Sequence, residues 1–234
     1  VKHGGFFQDK MLGSVQNGAV TMRHDYDTES LALTIGARRL TLLRVKNLEQ
    51  YVDREALLRD EIEEPPYWAH LWTGALTLAR YVEDYIDCKD LQVLDLGCGL
   101  GLTGVIAALK GGRVTFADRE PDALSFATLN AQLNNCLSFE AKVLDFTKDE
   151  MRQKFSLMLG AEILYDRPTF PALVDFLARH LSPGGSAVLA DARRTNTEEF
   201  YRQLDRAGLR WWREDIAERE DTLPLLVSIV TIQR

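Results

Sequence analysis

The stretch Val93-Leu94-Asp95-Leu96-Gly97-Cys98-Gly99-Leu100-Gly101-Leu102-Thr103-Gly104 decides how this chain is read. A short apolar run suited to a buried strand ends in an acidic residue, and a glycine-rich turn then opens a helix. Glycine lets the backbone take positive φ and approach a ligand closely, while the first N–H groups of the new helix have no partner within it. Those donors suit an anionic group, so the stretch predicts a nucleotide-type cofactor site.

Downstream of this turn, strands and helices alternate. Strands are predicted near 92–96, 113–117, 139–144, 155–160 and 185–190, with helices near 102–110, 121–134, 168–181 and 196–206. Two late strands near 209–215 and 224–232 are too close together for a parallel crossover, so the last strand is expected to run antiparallel. Upstream, Leu71, Ala75, Leu78, Ala79 and Val82 recur at helical spacing within Tyr67 to Tyr85. Glu61 to Pro66 reads as a linker, because Pro65 and Pro66 interrupt regular structure. Asn47 to Asp60 reads as a helix with a charged face. Residues 31–45 alternate around Gly36-Ala37-Arg38-Arg39 as a hairpin does, and residues 1–28 form an arm without period. The expected organisation is an N-terminal arm, hairpin and helix over 1–64 and one α/β domain over 65–234.

The glycines admit two readings. Gly99-x-Gly101-x-x-Gly104 fits the dinucleotide fingerprint, but an acidic residue and an extra glycine, Asp95 and Gly97, precede it. A dehydrogenase would also call for a second nucleotide-binding half or a catalytic domain. Read from Asp95, the pattern Asp-x-Gly-x-Gly-x-Gly resembles motif I of the S-adenosylmethionine-dependent methyltransferases built on a seven-stranded sheet. The resemblance covers residues 65 to 234. It implies a doubly wound, Rossmann-like sheet with an antiparallel last strand, S-adenosylmethionine as cofactor and S-adenosylhomocysteine as product. The N-terminal hairpin and arm are then additions, which in such enzymes often help to form the substrate mouth.

Each part of that cofactor needs a complement. Gly97, Cys98 and Gly99 can set backbone against the methionine end, with Cys98 as a small spacer, and Asp95 can fix the turn and meet the ammonium group. Asp118 lies 17 residues beyond Gly101 at the end of a strand, where a carboxylate can accept both ribose hydroxyls. Glu120 is the alternative, and capping of the helix at Pro121 is the competing role for Asp118. Asp145 and Phe146 match motif II, one for the adenine amino group and the other for a ring wall; capping of a helix near Lys148 is the competing role for Asp145.

Two further features narrow the group. Glu162-x-x-Tyr165 resembles the Asp/Glu-x-x-Tyr/Phe motif of the family 16 methyltransferases, which include many protein lysine methyltransferases. Pro66-Tyr67-Trp68-Ala69-His70-Leu71-Trp72 is similar to the tryptophan-containing helix before motif I in that family, most of all in the electron transfer flavoprotein β-subunit lysine methyltransferases and their bacterial relatives. Thr73 departs from the proline expected there. The resemblance implies Trp72 beside the cofactor, Ala161 lining its methionine end, and Glu162 and Tyr165 as catalytic residues that hold and orient an amine. The other role for Trp72 is a core aromatic. A free lysine has a pKa near ~10.4, so the amine must lose a proton before it attacks the sulfonium methyl.

Composition sets the remaining bounds. The chain has 234 residues, 46% of them hydrophobic, with a formal net charge of −7. That charge, with no long Lys/Arg block, argues against nucleic acid as partner. Glu64-Pro65-Pro66-Tyr67 resembles the Asp-Pro-Pro-Tyr motif of nucleic-acid amino-methyltransferases but stands too close to motif I for that fold order. No run approaches the roughly 20 apolar residues of a membrane span. Cys88, Cys98 and Cys136 form neither a disulfide framework nor a zinc pattern, and His3, His24, His70 and His180 form no cluster, so no metal is expected. The expectation is a cytoplasmic N-methyltransferase acting on a protein lysine. The alternatives are a small-molecule N-methyltransferase for a nicotinamide-like or amine substrate, and a non-catalytic cofactor-binding regulatory module.

Overall fold

The structure, a computed structural model, describes residues 25–52, 59, 65–193, 195–220 and 222–234. An antiparallel hairpin, β1 (Thr28–Ile35) and β2 (Arg38–Val45), comes first. A seven-stranded sheet follows, built from β3 (Gln92–Leu96), β4 (Arg113–Asp118), β5 (Phe139–Val143), β6 (Phe155–Ala161), β7 (Leu181–Asp191), β8 (Arg210–Glu220) and β9 (Leu223–Gln233). Its order is β5-β4-β3-β6-β7-β9-β8. The first five strands are parallel, and β9 runs antiparallel to both β7 and β8, as the short spacing of the last two strands predicts.

Helices cover both faces. On one side lie α1 (Thr73–Tyr85), α2 (Leu102–Leu109) and α3 (Pro121–Leu133), packed through Leu78, Val82, Ile106, Leu124 and Phe126. On the other lie α4 (Phe170–His180) and α5 (Glu198–Arg206), packed through Leu173, Phe176, Phe200 and Leu204. In β3, Val93 joins the first core while Leu94 and Leu96 join the second, which is why this central strand reads as an unbroken apolar run.

Some elements depart from expectation. The helix expected from Tyr67 begins at Thr73. Tyr67–Ala69 form a single 3-10 turn, and Trp72 is extended at φ −73°, ψ 147°. The aromatics explain this, because Trp68 packs on Phe126 and Trp72 on His70, so they cannot share one helical face. Of the helix expected over 47–60, Leu48–Tyr51 form a 3-10 turn, and most of the rest lies outside the described residues. The same holds for arm residues 1–24 and for residues 60–64, on the N-terminal side of the expected boundary.

The two hairpins are attached differently. The β1–β2 unit sits on α3, where Asn130 and Asn134 act as a surrogate strand for β2. Asn134 accepts the Thr41 N–H (3.0 Å) and donates to the Thr41 carbonyl (2.8 Å), and Asn130 does the same with Leu43 (2.6 and 3.0 Å). The β8–β9 hairpin is continuous with the main sheet. Ser228 to Gln233 pair with β7, while Leu223 to Val227 pair with β8 alone, so five residues overhang the C-terminal end of β7 by roughly 15 Å.

Candidate active site

A cleft of about 950 Å³ opens at the C-terminal ends of β3, β4 and β6. Strand order reverses there between the β4 and β6 sides of β3, the place where doubly wound sheets bind ligands. All eleven residues singled out from the sequence, Trp72, Asp95, Gly97, Cys98, Gly99, Asp118, Asp145, Phe146, Ala161, Glu162 and Tyr165, line it.

The glycine turn forms the floor. Gly97 and Gly99 have φ of 62° and 50°; a Cβ on Gly99 would stand 2.9 Å from the Trp68 carbonyl oxygen, and one on Gly97 would stand 2.7 Å from Ile163 Cγ2. The turn therefore needs glycine both for its conformation and for the space beside it. Two buried carboxylates hold it. Asp95 Oδ2 accepts the Gly104 N–H at 2.8 Å, tying β3 to the first turn of α2. Asp118 Oδ2 accepts the Gly99 N–H at 3.0 Å, and its Oδ1 accepts the Glu120 N–H at 3.0 Å. Asp118 thus supports the turn, and each oxygen keeps a further acceptor site.

Burial pushes Asp95 up to about 8, against the pull of the Gly104 N–H and with help from the charge of Asp118. Burial likewise raises Asp118 to about 6, although the Glu120 and Gly99 N–H groups favour its ionised form. The Cys98 thiol is pushed well above its ordinary value by burial and by the carboxylates of Asp118 and Asp95, which leaves it a poor nucleophile.

At the β5 end of the cleft, Asp145 sits in a turn. Its Oδ1 accepts from the Thr147 N–H (2.9 Å) and hydroxyl (2.6 Å), and Lys148 Nζ lies 3.1 Å from Oδ2. Burial raises this carboxyl, but the Thr147 and Lys148 donors outweigh it and hold Asp145 below its ordinary value. No helix starts at Lys148, so the capped element is only this turn. Phe146 packs towards Phe176 and presents an apolar wall to the cleft.

The opposite end is organised around Glu162. This residue follows β6 with φ +56°, an unusual conformation for a non-glycine residue. Its Oε1 accepts the Gly74 N–H in the first turn of α1 (3.1 Å), and Oε2 accepts the Ala192 N–H just past β7 (3.2 Å). The carboxylate therefore rests on a helix N-terminus, where negative charge is favoured. A Cβ on Gly74 would meet Glu162 Oε1 at 2.4 Å, so residue 74 must be glycine for the carboxylate to lie there. Tyr165 stands at the mouth, 43% exposed, with Arg119 Nη2 3.5 Å from its hydroxyl. The Tyr67 ring contacts both Tyr165 and Trp72, each at 6.1 Å and edge-to-face. Trp72 donates its indole N–H to the Tyr67 carbonyl at 2.9 Å.

Sequence reasoning assigned no site role to Tyr26, Tyr51 and Trp68, which also line the cleft, nor to Gly74, which adjoins it through Glu162. A glycine in the first turn of an otherwise regular helix was the available signal for Gly74; Tyr26 lies in the arm without period, and Tyr51 in a stretch read only as a charged-faced helix. Among the described residues, no group of three or more His, Cys, Asp or Glu side chains could hold a metal. An elongated cleft with a side-chain-free cradle, buried acceptors at its floor and an apolar wall fits a zwitterionic nucleoside such as S-adenosylmethionine.

Fold and cleft together define a Rossmann-like methyltransferase of the seven-stranded type. Solved structures with this fold include the N-methyltransferase NodS from Bradyrhizobium japonicum with S-adenosyl-L-homocysteine (TM-score 0.57, 20% identity, 76% of this chain and 96% of that one). Magnesium protoporphyrin IX methyltransferase from Synechocystis with bound SAM is another (TM-score 0.57, 15% identity, 78% and 98%). The chain belongs to the lysine methyltransferase family, whose model matches residues 55–207. It is 39% identical to protein N-lysine methyltransferase METTL21A of Danio rerio over 53% of this chain and 60% of the relative. It is 36% identical to EEF1A lysine methyltransferase 3 of Mus musculus (58% and 61%) and 33% identical to the human electron transfer flavoprotein beta subunit lysine methyltransferase (49% and 44%). The chain thus spans about three fifths of the length of the first two of these curated relatives.

Proposed function

We propose that this protein is an S-adenosylmethionine-dependent N-methyltransferase that modifies a lysine side chain of another protein. The observation that carries the reading is the anchored carboxylate of Glu162 at the open end of a cofactor-type cleft, beside the half-exposed rings of Tyr67 and Tyr165. A small-molecule site would enclose these rings, whereas an open aromatic mouth suits a side chain delivered from a larger surface.

Gly97, Cys98, Gly99 and Ala161 would hold the methionine end, Asp118 the ribose, and Asp145 and Phe146 the adenine. When bound, S-adenosylmethionine supplies an electrophilic methyl group on a sulfonium. The protein's own contribution is to position and desolvate the lysine nitrogen. Glu162, fixed by two N–H groups, keeps acceptor capacity for an incoming ammonium, and Tyr165 walls the slot. Removing the ammonium from water lowers its pKa, so its proton can pass to solvent before attack. Orientation by this rigid pair then supplies much of the rate advantage. An acidic chain with free Cys88, Cys98 and Cys136 supports a protein partner in a reducing compartment such as the cytoplasm.

The test is transfer of a labelled methyl group from S-adenosylmethionine into a desalted lysate and, separately, into a metabolite pool, with Glu162→Gln in parallel. A labelled protein band that is lost with the variant supports the reading and gives mass spectrometry its target. Label only in the metabolite pool would replace it with a small-molecule enzyme, and tight cofactor binding without any label would replace it with a regulatory binding module.

A further inference from the structure

We infer that Tyr26 is a cofactor-retaining residue, the latch by which the N-terminal hairpin closes the cofactor end of the cleft. The inference rests on the reading that the cleft binds S-adenosylmethionine.

Tyr26 stands two residues before β1 and lines the cleft. Its ring makes edge contacts with Tyr51 at 5.0 Å, Trp68 at 5.6 Å and Phe126 at 5.9 Å. Trp68 in turn lays its carbonyl against Gly99, so a single residue separates Tyr26 from the glycine turn. The phenol donates to Asp122 Oδ2 at 2.9 Å. Asp122 is buried in the first turn of α3, directly after Asp118, Arg119, Glu120 and Pro121, all of which line the cleft. The latch therefore joins the start of the hairpin to the segment that carries the ribose candidate. Burial and the Asp122 carboxylate raise the phenol's pKa, so it remains a donor.

A second tie makes this end of the hairpin part of the cofactor site. Fully buried Asn130 bonds the backbone of Leu43 in β2 and also donates to the Leu100 carbonyl at 2.9 Å, within the glycine turn. Asn130 is thus the fixed anchor, while Tyr26, half-buried at the edge of the core against Phe126, is the more exposed of the two ties. A wall residue of this kind acts on the lifetime of the bound state, since most affinity differences between related complexes lie in the dissociation rate.

S-adenosylhomocysteine release can be followed by stopped-flow tryptophan fluorescence, because Trp68 and Trp72 line the cleft. Tyr26→Phe, which keeps the ring and removes the hydrogen bond, is expected to release the ligand about fivefold faster. Tyr26→Ala, which also removes the ring contacts, should exceed about tenfold. Thr34→Ala, at the exposed far end of β1, should keep the wild-type rate. Wild-type release from Tyr26→Phe overturns the latch, as does equal acceleration by Thr34→Ala, which would mean general loosening of the hairpin. Wild-type protein that does not bind S-adenosylhomocysteine overturns the methyltransferase reading and the latch with it.

Discussion

The two β-hairpins serve opposite ends of one cleft and are built in opposite ways. The first, β1–β2, shares no backbone pairing with the main sheet and is held by side chains, Asn130 and Asn134 along its edge and Tyr26 at its start. Those ties lead to the glycine turn and the Asp118 segment. The second, β8–β9, is a continuation of the sheet, and its overhang leans on α1, where Glu220 and Glu218 accept from Thr73 and Thr77. Those ties lead to the first turn of α1, which holds Glu162. Side-chain attachment suits an element that opens to exchange a ligand, and backbone continuity suits one that braces a fixed group. Cofactor retention and methyl transfer should therefore respond to different hairpins.

The largest effect is expected where the Glu162 end is disturbed directly. Gly74→Ala places a methyl group where the carboxylate now lies, and a misplacement of about 1 Å at a reacting centre can cost about 100-fold in rate. Alanine is also the better helix former by about 0.5–1 kcal/mol, so helix propensity does not oppose the change. Activity should fall far more than stability, with kcat down about 100-fold, at most a small loss of melting temperature from the two displaced N–H contacts, and S-adenosylhomocysteine affinity near wild type. Adding Glu162→Asp shortens the side chain and should recover part of the rate. A loss of cofactor affinity as large as the loss of kcat would break the division between the two ends.

At the cofactor end, pH is the probe. Asp95 and Asp118 have native pKa values near 8 and 6, raised by burial, against ordinary values near ~3.9. Between those limits the native state binds more protons than the unfolded chain, so these groups stabilise the cofactor-free protein most below about pH 4. That contribution is lost as pH rises through about 6 for Asp118 and about 8 for Asp95. Melting temperature should fall over this window, and Asp95→Asn should flatten the fall. Ligand binding should show the reverse dependence, because an ionised Asp118 is the better acceptor. S-adenosylhomocysteine affinity is expected to drop by up to about tenfold per pH unit below about pH 6, a slope that Asp118→Asn should remove. A pH-independent affinity would separate Asp118 from the ribose.

What could be read from the sequence follows physical locality. The β3 turn and the Glu162-x-x-Tyr165 segment each compress strand, turn and chemistry into a few adjacent residues, and their period and glycines expose them. The strand order is legible for the same reason, since alternating short strands and helices leave few topologies open. Tyr26 and Asn130 are different. Their partners lie 96 and 87 residues away, at Asp122 and Leu43, and neither a lone tyrosine nor a helical asparagine marks such a contact in the chain. Gly74 is intermediate, visible as an odd glycine in a helix but meaningful only once Glu162 is seen against it. The late start of α1 belongs with these, because its cause is the set of ring partners taken by Trp68 and Trp72.

The smallest effect belongs to the brace between the second hairpin and α1. Glu220 accepts from the hydroxyl of buried Thr73 at 3.1 Å, next to the glycine that supports Glu162. Glu218 makes the parallel contact with Thr77 and pairs with Arg80 at 2.8 Å. Such partly exposed polar contacts contribute about 0–1 kcal/mol each, and the two are redundant along one helix face. Glu220→Gln should therefore raise KM for the methyl acceptor by about twofold and leave S-adenosylhomocysteine release at the wild-type rate. The double variant Glu218→Gln/Glu220→Gln should add to the effect and begin to lower kcat, because the first two turns of α1 would then lose both charged acceptors, leaving only neutral amide oxygens to accept from Thr73 and Thr77. Measured beside Tyr26→Phe, the pair gives a crossed design in which each hairpin moves one constant. If Glu218→Gln/Glu220→Gln instead hastened ligand release, the overhang would act at the cofactor end too, and the two hairpins would form one closing unit.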